Sequence, residues 1–355
     1  MNTAQNSGLH DRLTISQSHR PWKHVSPEDW QDWRWQLRNS VEGVDGLLAL
    51  LREWGSPVDD RAVAALVERY RFRAVPYYLS LIDSDDLSDP IRRQCIPDLQ
   101  ELDELSAFSS DPFEELSGPG IPGLVHRFPD RVLLIATTDC AMYCRHCTRK
   151  STLDGGLSSS LEGLDKALAY IAGQPCVREV LISGGDPLLA DVGRLDRLLD
   201  RLHAIEHVEV VRIGTRVPVV LPMRVDNELV EMLRQHRPLW VNTQFNHPRE
   251  LTEESIAACL RLTDAGIPVS NQSVLLKGVN DRIEIMRELC ASLQRNLIRP
   301  YYVFQCDPVA GISHFRTDVG VGGEMERQLR GLLGGLCLPR FVADIPGAAG
   351  KTPLG

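Results

Sequence analysis

The chain has 355 residues, a formal net charge of −9, and 43% hydrophobic against 25% charged residues. That composition is ordinary for a globular protein, and the acidic balance argues against a sequence-independent nucleic-acid binder. No run of about 18 apolar residues occurs, so no membrane span is expected.

Residues 1–20 are polar and aperiodic and read as a disordered lead with no basic or apolar signal region. Ser26, Pro27, Glu28 and Asp29 then form a helix start: a capping hydroxyl, proline at the first helical position, and an acid that completes a capping box. Trp30, Trp33, Leu37 and Val41 follow at helical spacing and read as core anchors. A second helix is predicted over 61–71. Residues 84–123, rich in Asp, Ser, Pro and Gly, read as a long ordered connection.

From residue 131 the pattern alternates. Short apolar runs at 131–136, 179–183, 209–214, 239–243, 269–275 and 300–305 read as strands. Helical stretches at 161–172, 192–203, 226–236, 253–265 and 282–293 lie between them. Alternation of this kind predicts a parallel sheet with right-handed crossovers. Six strands fall short of the eight that close a barrel. The expected fold is therefore α/β, a partial, open (β/α)6 TIM-like barrel. The expected organisation is a helical extension over 21–123 and the barrel over 124–355.

Cys140, Cys144 and Cys147 follow the first of these strands with spacing C-x3-C-x2-C. A 4Fe–4S cluster takes four ligands, so three cysteines leave one iron open to chelate an amine and a carboxylate. Zinc is the alternative metal, but it favours paired cysteines that close four ligands. The third reading is three small core residues, a poor match to a loop that also carries Asp139, Arg145, His146 and Arg149. The position suits chemistry, which sits at the C-terminal ends of strands in such barrels. Nine cysteines without framework spacing fit a reducing cytoplasm.

Two further constellations stand out. Ser183, Gly184, Gly185 and Asp186 follow the second strand, and glycines there permit close backbone approach to a ligand. Near the C-terminus, Lys351 ends a loop of small residues, and a lysine so placed is able to carry pyridoxal phosphate as a Schiff base. An isolated lysine in that position would otherwise read as a solvated tail residue.

The cysteine loop resembles that of radical S-adenosylmethionine enzymes. Taken with residues 29–38, 76–83, 126–131, 183–188, 212–216, 271–276, 301–307 and 314–317, the chain resembles the lysine 2,3-aminomutase family from about residue 30 to 353. The resemblance implies that Cys140, Cys144 and Cys147 hold the cluster and that Lys351 carries pyridoxal phosphate. It implies that Arg127 and Arg131 bind the phosphate and phenolic oxygen of that cofactor. Ser183, Gly184, Gly185, Asp186 and Gln272 fall at the S-adenosylmethionine site. Arg149 falls at the substrate α-carboxylate, and Asp307 and Asp344 at the ε-ammonium of lysine.

The activity implied is migration of the α-amino group of L-lysine to C3, giving L-β-lysine through a 5′-deoxyadenosyl radical. Arginine as substrate, or lysine isomerised for attachment to a translation factor, are the alternatives. An electron-carrying iron–sulfur protein would not need Lys351, Arg149 and the aspartate pair. The resemblance also implies a flavodoxin- or ferredoxin-type electron donor and a homo-oligomer, a dimer rather than a tetramer. Zinc is not expected, because the sequence lacks the family's cysteine-rich tail and Cys259 stands without its partners there. Five positions depart from the family pattern: Phe128 for tyrosine, Gln244 for histidine, Ala348 and Ala349 for glycines, and Pro308 after Asp307.

Overall fold

The computed structural model describes residues 21–102, 108–115, 118–152 and 161–355. The predicted lead at 1–20 and parts of the predicted connection lie outside the described residues.

One sheet organises the molecule. Its strands in chain order are β1 (Leu124–Phe128), β2 (Arg131–Thr137), β3 (Glu179–Gly184), β4 (Val210–Gly214), β5 (Leu239–Thr243), β6 (Val269–Leu275), β7 (Arg299–Gln305), β8 (Arg340–Ala343) and β9 (Thr352–Pro353). They lie side by side in sequence order. From β2 to β8 every pairing is parallel, while β1 and β9 are antiparallel edges. The two edges do not pair with each other, so the barrel is open.

The six predicted strands are all present, within two residues of their predicted ends. Three more were not read from the sequence. β1 is joined to β2 by the two-residue turn Pro129 and Asp130, with Phe128 opposite Arg131. β8 is a four-residue run whose Phe341 and Val342 are buried, too short to stand out by periodicity. β9 holds two residues and exists only because β8 offers an edge.

Helices Leu161–Ala172, Val192–His203, Asn227–Gln235, Glu253–Asp264 and Ile283–Arg295 make the crossovers. Caps set several starts: Asp191, Asp226 and Thr252 each accept from a backbone N–H in the first turn, contacts that stabilise by about 1 kcal/mol each. Leu195, Leu198, Leu199 and Leu202 show how the inner face is filled, four leucines at helical spacing and all buried.

At the N-terminus Ser26 caps as predicted, accepting from the Asp29 amide at 3.1 Å. The expected single helix is two short ones, Pro27–Gln31 and Trp33–Arg38, because Asp32 adopts an extended backbone and caps the second. Val41 is consequently in a two-residue ladder with Ala74. The helix predicted at 61–71 runs Asp60–Arg69, and an unpredicted helix, Gly43–Glu53, precedes it. This segment shares the barrel's hydrophobic core. Polar ties fix it there: Trp33 donates to Asp226 at 3.1 Å, Tyr78 to Glu250 at 2.7 Å, and Tyr77 pairs with Thr252 at 2.5 Å.

Candidate active site

Every residue that the resemblance assigns to a cofactor or to the substrate lines one cavity of about 420 Å³ at the C-terminal ends of the strands, among them the three cysteines, Arg149, Asp307, Asp344 and Lys351.

The cysteine loop leaves the end of β2 and is held from several sides. Between the cysteines, Arg145 forms a two-pronged ion pair with Glu101, one bond being 2.9 Å, and donates to the Arg71 carbonyl at 2.8 Å. Lys150 joins the same carboxylate at 2.9 Å and the Arg145 and Gly311 carbonyls at 2.9 and 3.1 Å. Glu101 is fully buried; burial opposes its charge, yet Arg145 and Lys150 hold its carboxyl at about 2. Burial pushes Lys150 down to about 8.

A second buried cation backs the thiols. Arg216 donates to the Cys144 sulfur at 2.9 Å, and its other nitrogen reaches Glu250 and Gln94, both at 2.6 Å, and Tyr78 at 3.2 Å. Burial pushes the Cys140 and Cys147 thiols up. Among the described residues no group of three His, Cys, Asp or Glu side chains is placed to hold a single metal ion. A four-iron cluster instead seats each cysteine on its own iron. Three thiols lining one cavity, one of them facing a guanidinium, fit that demand.

The sequence reading gave Gly184 and Gly185 to a ligand. Both line the cavity, and both also lie close against protein backbone. A Cβ on Gly184 would lie 2.2 Å from the Thr137 oxygen, and one on Gly185 would lie 2.3 Å from the Asp139 oxygen. The Gly185 and Asp186 amides donate to those same two carbonyls at 2.7 Å. These glycines therefore let the root of the cysteine loop lie flat on the end of β3. Asp186 also lines the cavity, and it accepts from the Thr215 hydroxyl at 2.6 Å and the Arg216 and Leu188 amides at 2.7 and 3.2 Å. Burial pushes its carboxyl up to about 6. Ser183 and Gln272 line the cavity.

At the opposite end, Asp344 follows β8 and accepts from both Arg127 nitrogens, at 2.9 and 3.2 Å, and from Lys351. Burial opposes its charge, but those partners hold its carboxyl below the usual range. Arg131 stacks over Phe128 at 4.0 Å and Arg127 over Phe113 at 4.5 Å. The Lys351 amine lies 5.7 Å from the same Phe128 ring. Two guanidiniums, an amine and aromatic faces in one corner fit a phosphate-bearing aromatic cofactor.

Asp307 carries no side-chain hydrogen bond among the described residues. Burial, then the charge of Asp344, pushes its carboxyl up to about 7. Arg149 is engaged by Glu115, a residue the sequence reading did not pick out, at 2.7 and 2.8 Å. Burial opposes the Glu115 charge, and Arg149 outweighs it.

Three of the departures from the family pattern, Ala348, Ala349 and Gln244, have a clear local setting. Ala348 and Ala349 are not at positive φ; Gly347 is, at 75°. The alanines therefore impose no left-handed strain. Gln244 reaches His146 at 3.2 Å. Cys259, compared above with a zinc ligand, is fully buried in the core.

A family model described as the Radical SAM superfamily matches residues 134–290. An L-lysine 2,3-aminomutase of Clostridium subterminale is 49% identical over 96% of this chain and 82% of its own length. The chain belongs to the lysine 2,3-aminomutase family. Within this family an L-lysine 2,3-aminomutase of Acetoanaerobium sticklandii is 48% identical over 94% of the chain and 80% of its length. A glutamate 2,3-aminomutase of Clostridioides difficile is more distant, at 38% identity over 92% of the chain and 77% of its length. Both of these lysine enzymes are thus more similar to the chain than the glutamate enzyme is. No helix among the described residues is long and apolar enough to cross a membrane.

Proposed function

We propose that the chain is a radical S-adenosylmethionine isomerase that converts L-lysine to L-β-lysine, with pyridoxal phosphate at Lys351. The observation that carries this reading is the shared cavity of Cys140, Cys144, Cys147, Arg149, Asp307, Asp344 and Lys351.

When bound, the cluster and S-adenosylmethionine supply a 5′-deoxyadenosyl radical, and pyridoxal phosphate supplies the group through which the α-nitrogen migrates. The chain's own residues do the positioning. Cys140, Cys144 and Cys147 ligate the cluster, while Ser183 and Gln272 face the cosubstrate beside them. Gly184, Gly185 and Asp186 line the same part of the cavity and belong to the cosubstrate's site, and Asp186 also fixes the turn at Thr215 and Arg216. Arg127 and Arg131 take the cofactor's anionic groups, a task suited to planar guanidinium forks.

Arg149 anchors the substrate carboxylate, and Asp307 and Asp344 receive the ε-ammonium. Two carboxylates neutralise one ammonium and repel an anionic side chain, which disfavours glutamate. Asp344 is shared with Arg127 and Lys351, so Asp307 is the carboxylate whose oxygens are free for the ammonium. Alignment of the substrate's Cβ in the cavity accounts for the protein's part in the rate. A flavodoxin- or ferredoxin-type donor supplies the electron, and a reducing cytoplasm suits the oxygen-sensitive cluster.

The test is an anaerobic assay of the reconstituted protein with pyridoxal phosphate, S-adenosylmethionine and dithionite. Lysine, arginine and glutamate are offered separately and β-amino acids are measured by derivatised chromatography. β-Lysine is the expected product. β-Arginine alone overturns the substrate, and no product from any of the three overturns the reading.

A further inference from the structure

Glu115 reaches the cavity from the stretch that leads into β1, and Arg149 stands two residues after Cys147. Both side chains are largely buried, and both line the cavity. Glu115 accepts from Arg149 Nε at 2.7 Å and from Nη2 at 2.8 Å. A guanidinium has five N–H donors in one plane, and this pair uses two of them along one edge. Among the described residues, Nη1 donates to no protein group. The edge formed by Nη1 and the second Nη2 hydrogen is therefore the one left for another carboxylate, and its geometry is bidentate.

We infer that Glu115 is a positioning residue for substrate recognition: it fixes the plane of Arg149 so that the adjacent Nη1–Nη2 edge faces the cavity as a fork for the amino acid's carboxylate. This rests on the reading of Arg149 given above. A long arginine side chain has many rotamers, and a fork that must be ordered at each binding event weakens binding. Glu115 orders it in advance and balances its charge. An acid and an arginine 34 positions apart thereby tie the segment before β1 to the cysteine loop, so the substrate anchor and the cluster ligands share one frame.

The experiment compares Glu115→Ala, Glu115→Gln and Arg149→Gln in the reconstituted holoenzyme. Readouts are KM and kcat for L-lysine, KM for S-adenosylmethionine, and iron content. Glu115→Ala is expected to raise the lysine KM by about tenfold, the cost of one misaligned charge-assisted hydrogen bond. The S-adenosylmethionine KM and iron content stay unchanged. Glu115→Gln, which keeps the shape and one acceptor, gives a smaller rise and covers the case in which the alanine variant fails to fold. A lysine KM unchanged or lowered by both Glu115 variants, with Arg149→Gln still raising it, overturns the inference alone. A lysine KM unmoved by Arg149→Gln overturns the reading of Arg149 itself.

Discussion

At the cysteine end of the cavity, the side chains of Arg145, Lys150 and Arg216 are 1, 5 and 7% exposed, and their charges are met by Glu101 and Glu250, which are not exposed at all. At the lysine end, Arg127 and Lys351 are 20 and 26% exposed and share a single carboxylate, Asp344. The first arrangement is buried where the chain leaves β2, β4 and β5. The second hangs on the edge strands β8 and β9. What anchors it is the tail: Leu354 donates its amide to the Phe341 carbonyl at 3.0 Å and covers Gly322 and Gly323 on helix Val319–Arg330. A Cβ at Gly323 would lie 2.4 Å from the Leu354 oxygen. Glycine inside a helix costs up to about 1 kcal/mol, and here that cost admits the tail. One end of the site is thus fixed by buried charge, the other by a docked strand.

The sharpest way to break this contrast is at the thiols. Cys147→Ala is expected to abolish product and lower bound iron, measured by iron assay and visible absorption, while pyridoxal phosphate still attaches at Lys351, measured as mass after borohydride reduction. Next in size is Glu101→Ala, which strands Arg145 and Lys150 without their buried partner. A loss of about 3–5 kcal/mol is expected in denaturant unfolding of the cluster-free protein. An unchanged midpoint would mean that the network is not what holds the cysteine end.

Gly323→Val should act at the other end only. Displacing Leu354 is expected to reduce borohydride-trapped cofactor at Lys351 severalfold while iron content holds. A loss of both would erase the distinction between the two ends. The smallest effect is one of pH. The Asp307 carboxyl sits at about 7 against an ordinary 3.8. The ionised form binds an ammonium, so the lysine KM should fall as pH rises from 6 to 8, and Asp307→Asn should flatten that slope. The same shift means the folded protein keeps a proton that the unfolded chain has lost. This group therefore costs stability as pH rises from about 4 to 7.

The cysteine spacing, the alternation of strands and helices from residue 131, and the cap at Ser26 are signals between near neighbours in sequence. Helix and strand periods and loop ligand spacing act over a few residues, so these features were legible directly. The antiparallel edges were not, because a two-residue strand such as β9 has no period of its own and forms only where β8 offers hydrogen bonds.

By itself the sequence determined which chemistry-bearing side chains the protein has and at which strand ends they emerge. Tertiary structure alone decided how they are partnered. Arg127 meets Asp344 across 217 positions, and Glu115 takes one edge of Arg149. Gly184 and Gly185 admit the cysteine loop's backbone, and Asp186 ties the turn at Thr215 and Arg216 to the end of β3. Each of these pairings depends on two distant segments arriving at the same point, and the energy that selects them, burial of charge and close packing, exists only once the sheet has brought them there.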